Sequence, residues 1–71
     1  MTDTETPILI SVAGAAKLTS LSRTAIHRYR REGRFPEPVP LGERRIAFRR
    51  ADVIAWIEAR IADGRARRVA E

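Results

Sequence analysis

A mainly α domain with one small β-hairpin is what this sequence predicts, and three observations predict it. Two short helical patterns lie on either side of a tight turn, Ser20-Leu21-Ser22. A stretch with prolines at positions 36, 38 and 40 then forbids helix and leads into two short β-type runs around Gly42-Glu43-Arg44. Last comes an amphipathic segment in which Val53, Trp56, Ile57 and Ile61 recur at helical spacing. The chain has 71 residues, enough for one small domain whose core contributes only about 3–5 kcal/mol net.

In chain order, Met1 to about Pro7 is polar and unpatterned, and Ile8 to Ile10 is a short β-branched run that either pairs as an edge strand or covers the core. Residues 1–10 are accordingly expected to form an N-terminal arm. Ser11 is a good N-cap for a helix covering SVAGAAKLT, with Val12, Ala15, Ala16 and Thr19 on one face. Ser22 caps a second helix running to Glu32, which Gly33 ends as a left-handed C-cap. Within it, Ile26 and Tyr29 make a narrow apolar seam that buries against Ala15, Ala16 and Leu18. Arg23, Thr24, His27, Arg28 and Arg31 take the remaining arc. Val39 to Leu41 and Arg45 to Phe48 are expected to pair as a hairpin, with Leu41, Ile46 and Phe48 supplying apolar faces and Arg44 and Arg45 at the tip. The final helix is expected from about Arg50 to Asp63, with Gly64 as its stop and Trp56 as the largest core contributor. Residues 11–63 thus form the domain, and residues 64–71 a basic tail.

Helix, tight turn, helix, hairpin, helix is the order of a winged helix-turn-helix. The charge distribution suits that reading. Net charge is +5, and 13 of the 14 basic residues are arginine, the planar cation that pairs bidentately with phosphate and guanine. Arg and Ala enrichment also follows from a GC-rich genome, so position is the better guide. Between Lys17 and Arg50 lie ten cations and three acids, whereas the first sixteen residues carry only Asp3 and Glu5. Such asymmetry implies a basic surface with a polyanionic partner.

Other classes fit less well. There is no cysteine and only one histidine, no glycine-rich phosphate loop and no suitably spaced carboxylate pair, so no general acid, base, nucleophile, metal site or cofactor site is expected. A basic module that binds membranes or acidic proteins without reading DNA is the alternative, but the Ile26–Tyr29 seam is narrow and is needed by the core. No apolar run of membrane-spanning length occurs, and MTDTETP lacks the character of a signal peptide. The chain therefore reads as soluble and cytoplasmic, with no membrane partner.

LTSLSRTAIHRYRREGRFPEPVPLG followed by FRRADVIAWIEAR resembles the AlpA-type phage regulatory proteins and, more broadly, the excisionase and MerR-like winged helix proteins. The resemblance covers roughly Ile8 to Arg60. It is carried by L-S-R-T-x-I-x-R in the second helix, the E-G-R-F-P exit, the P-V-x-L-G entry to the hairpin and the apolar-x-x-W pattern of the last helix. Two positions depart from the pattern: Ser20 stands where Gly is common, and Gly14 where an acid is usual. The resemblance implies that helix 22–32 enters the major groove of double-stranded DNA and that the wing, residues 39–48, touches the adjacent backbone or minor groove. Ser22 then caps the helix and meets a phosphate, while Arg23, Thr24, His27 and Arg28 are the base-edge or nearby phosphate readers. Lys17, Arg31, Arg34, Arg44 and Arg45 are expected on phosphates, and Arg30 in solvent or in an ion pair. The resemblance further implies a prophage or integrative-element protein acting in transcription regulation or as an excisionase in DNA recombination. An integrase and head-to-tail copies of the same chain are the implied partners, and no small-molecule effector is expected.

Overall fold

The computed structural model describes residues 7–70, with side chains described to Arg67. The first six residues of the expected arm, with Asp3 and Glu5, lie outside that range. The elements are β1 (Leu9–Ile10), α1 (Val12–Thr19), α2 (Arg23–Arg31), β2 (Val39–Gly42), β3 (Arg45–Arg49) and α3 (Arg50–Ala70). This is the expected winged helix-turn-helix order, with Leu9–Ile10 pairing as a strand.

Strand β3 is central in an antiparallel sheet of order β1-β3-β2. Leu9 is opposite Arg49 and Ile10 opposite Phe48; on the other side Val39 is opposite Ala47 and Pro40 opposite Ile46. Pro40 is tolerated because β2 is an edge strand, where a missing N–H leaves no central ladder bond unmade. The register shifts between Pro40 and Gly42. That irregularity accommodates Leu41 and re-aims it, and it is 53% exposed instead of supplying the apolar face its alternation suggested.

Local chemistry sets the ends of α1 and α2. Ser11 Oγ accepts from the Gly14 amide at 3.0 Å, and a Cβ on Gly14 would lie 3.3 Å from Ile10 Cβ. A glycine at this position lets the helix lie close to β1. At the far end of α1, Ser20 takes φ 64 and ψ 20, the left-handed conformation that a glycine adopts without a Cβ penalty. The Thr19 hydroxyl donates to the Ala15 carbonyl at 2.8 Å, and its oxygen accepts from the Leu21 amide at 3.2 Å, closing the turn from inside. Ser22 Oγ accepts from the Ala25 amide at 3.0 Å to start α2.

The core joins Ala15 of α1, Ile26 of α2, Phe35 of the connection, Phe48 of β3 and Val53 of α3, all buried. Phe35 meets Phe48 edge to face with ring centroids 5.1 Å apart, and Trp56 at 5.0 Å. Trp56 packs on this cluster but stays half-buried; Phe48 is the largest fully buried side chain. Leu18 is 41% exposed rather than beneath α2. It stands three residues from buried Ala15, at the edge of the inward stripe that Val12, Ala15, Ala16 and Thr19 make.

The expected stop at Gly64 is not observed, because α3 continues to Ala70. A lone glycine costs a helix about 1 kcal/mol relative to alanine without ending it, and the flanking Ala and Arg residues favour continuation. Asp63 and Arg67, one turn apart, form an ion pair at 3.9 Å across it. Every side chain from Glu58 to Arg67 is exposed, since only the first half of the helix packs on the domain. Ile61, at 48% exposure, is therefore outside the core despite its spacing.

Candidate nucleic-acid interface

Helix α2 is oriented by what it buries. Ile26 is fully buried, and Leu21 and Tyr29 pack against the same cluster. With that side inward, Arg23, Thr24, Arg28 and Arg31 are exposed and His27 is half-buried on the outer arc. No acidic residue occurs between Arg23 and Arg31. Ser22 is exposed beside them at the helix start, where the unpaired backbone N–H groups and the helix dipole favour an anion.

The end of α2 is a Schellman motif with Gly33 at φ 74. The Gly33 amide donates to the Arg30 carbonyl at 3.1 Å and the Arg34 amide to the Tyr29 carbonyl at 2.8 Å. Such a return brings Arg34 back over the last turn, with its guanidinium carbon 4.8 Å from the Tyr29 ring centroid. Arg28 approaches the same ring at 5.5 Å. Arg34 also pairs with Glu32 at 3.1 Å, both side chains being about half exposed. An exposed pair of this kind contributes little, about 0–1 kcal/mol, so the carboxylate holds Arg34 only weakly.

Arg44 and Arg45 are exposed at the hairpin tip, and Arg44 sits there with φ 63. Lys17 is exposed in the last turn of α1. The structure thus brings Arg28 and Arg34 together on one aromatic ring and leaves Arg44 and Arg45 on a separate element. Arg30 differs from its expectation. It follows Ile26 by four residues and shares that helix's inner flank, half-buried, with a buried Nε lacking a hydrogen-bond partner.

Sequence reasoning did not single out two contacts beside this surface. Arg60 lies over Trp56 at 4.9 Å, and the Trp56 indole N–H donates to the Arg34 carbonyl at 2.9 Å. The i, i+4 spacing of Trp56 and Arg60 was the available signal. Among the described residues, no group of three or more His, Asp or Glu side chains is placed to hold a metal ion, and no helix is long and apolar enough to cross a membrane.

Three helices around a small sheet, with α2 capped at both ends and its exposed arc basic, define a winged helix-turn-helix protein. Residues 9–61 match the family described as Prophage CP4-57 regulatory protein (AlpA). The chain belongs to that family of prophage regulatory proteins. It is also 44% identical over 45 residues to a protein of Enterobacteria phage P4 named as uncharacterized protein ORF88, a match covering 63% of this chain and 51% of the phage protein. The chain therefore spans about half the length of the curated relative it matches. No solved structure gives a significant match.

Proposed function

We propose that the chain is a sequence-specific double-stranded DNA-binding protein of a prophage or integrative element, working as a transcription regulator, an excisionase, or both. The observation that carries this reading is the α2 arc: Arg23, Thr24, Arg28 and Arg31 face outward without an intervening acid, while Ile26 is fully buried behind them. Helix α2 lies in the major groove. Arg23, Thr24, His27 and Arg28 read base edges, Ser22 and Arg31 meet the flanking phosphates, and Arg44 and Arg45 of the wing contact the adjacent backbone or minor groove. Lys17 and Arg34 complete the phosphate contacts. Residues 11–63 carry this binding unit, and it operates in the cytoplasm, where prophage DNA lies.

One short recognition helix reads only a few base pairs, so useful specificity calls for several copies side by side, with an integrase as a further partner where excision is controlled. Footprinting over an attachment site and the neighbouring promoter tests the array; protection of one isolated half-site without cooperativity excludes it. Arg28→Ala is expected to cost about 1–3 kcal/mol and relax preference at one base position, whereas Arg44→Ala weakens binding without changing preference. About six phosphate contacts give a log K against log salt slope near −5. A slope near zero, or equal affinity for duplex DNA and anionic liposomes, would sink the reading.

A further inference from the structure

Beyond the recognition arc, the basic surface runs off α2 and onto α3. Arg28 lies 5.5 Å and Arg34 4.8 Å from the Tyr29 ring; Tyr29 and Trp56 have centroids 6.4 Å apart; Arg60 lies 4.9 Å from the Trp56 ring. The Trp56 indole N–H, bonded to the Arg34 carbonyl at 2.9 Å, locks the α2 end to α3. The side chains of Arg28, Arg34 and Arg60 are all exposed, whereas both rings are half-buried against the core. Each guanidinium therefore lies within cation–π range of an aromatic ring anchored on the core, with N–H groups left for another acceptor. Glu32 is the one ion-pair partner of these three arginines among the described residues, and it is held by Arg34.

We infer that Arg34 and Arg60 form one phosphate-binding strip beside the base-reading Arg28, in which Tyr29 and Trp56 pre-orient the guanidiniums and Arg60 carries the DNA contact from the recognition helix onto α3. The inference rests on the DNA-binding reading and extends the contact surface to a helix that reading leaves unused. The cation–π contact is the operative feature. An arginine already held over a ring loses less side-chain freedom on meeting a phosphate, and its planar fork still presents paired donors. Lysine in its place keeps the charge but lacks the planar fork.

The test measures affinity for a mixed-sequence DNA duplex about two helical turns long over a range of salt concentrations. Wild type is compared with Arg60→Gln, Arg60→Lys and Arg65→Gln, the last removing the same charge from an exposed position further along α3. Arg60→Gln is expected to weaken binding about three- to tenfold and reduce the steepness of the log–log slope by about 0.9. Arg60→Lys keeps the slope but loses affinity, and Arg65→Gln keeps both. Circular dichroism melts confirm that each variant is folded. If wild type binds with a steep slope and Arg60→Gln is indistinguishable from wild type or from Arg65→Gln, the strip is overturned and the α2 reading stands. If wild type binds no duplex at any salt concentration, both fall together.

Discussion

Ser20→Gly is expected to stabilise the domain while leaving its DNA affinity unchanged. Ser20 occupies φ 64 and ψ 20 at the turn between α1 and α2, a conformation that costs an L-residue about 1–2 kcal/mol through the contact of Cβ with the following carbonyl oxygen. Ser20 is exposed, and its side chain makes no hydrogen bond among the described residues; the turn is closed by Thr19. Glycine removes the steric cost and gives back about 0.5–1 kcal/mol as extra freedom of the unfolded chain. A net gain of about 0.5–1 kcal/mol remains. For a domain of this size that corresponds to a rise in Tm of about 2–8 °C, measured by circular dichroism melts and by urea titration with the m-value held constant. An unchanged or lowered midpoint would refute the claim that Ser20 is strained. A large change in DNA affinity at 25 °C would refute the claim that the turn already holds its preferred geometry with serine in place. Ser20→Val should move the midpoint the other way, because a β-branched residue is a poorer occupant of the left-handed region.

Three further substitutions address the core, the last helix and the charge around Arg34. Ile26→Ala removes a fully buried side chain at a cost of about 2–5 kcal/mol, comparable with the net stability of so small a core, so the far-UV spectrum at 25 °C should report substantial unfolding. Gly64→Ala should raise stability by about 0.5–1 kcal/mol in urea titration, since a Cβ there meets nothing within 4 Å and the residue lies inside α3. Glu32→Gln should tighten DNA binding about two- to fivefold in low salt by freeing Arg34 and removing an anion from the basic surface, an effect that screening at high salt should erase; tighter binding that survives high salt would mean another cause.

What the sequence made legible was mostly local. Ser22 and Gly33 mark the ends of α2 because capping depends on residues within one turn, and the hydrogen bonds at both ends follow. The outward arc of α2 was legible because Ile26 and Tyr29 fix the inward side. Phe35 was not read as core, since one aromatic between Arg34 and Pro36 has no periodicity, and its burial arises from distant Phe48 and Trp56. Leu41 shows the opposite failure: alternation placed it inward, and the shift of register before Gly42 turned it out. Gly64 and Ile61 were misread because a helical pattern carries no record of where its packing partner ends. That Arg34 and Arg60 lie beside one another was out of reach for the same reason, as it depends on Trp56 of α3 meeting the chain just after α2.

A division of labour among the arginines follows from this geometry. Composition treats all 13 alike, yet the fold sorts them by what lies beneath each one. Among the described residues Arg23 and Arg31 lie over no aromatic ring, so on the open arc of α2 they are free to adapt to whichever base or phosphate the proposed complex presents. Arg28 and Arg34 share the Tyr29 ring and are held before any ligand arrives. Arg30 is set aside, its Nε buried on the inner flank of the helix. An arginine fixed on a half-buried ring is tied to the core that fixes the ring, so the orientation of α2 and the position of Arg34 and Arg60 depend on the same packing of Tyr29, Phe35 and Trp56. Substitutions in that aromatic cluster should therefore weaken DNA binding beyond what lost stability explains, even though none of the three rings is assigned a base to read.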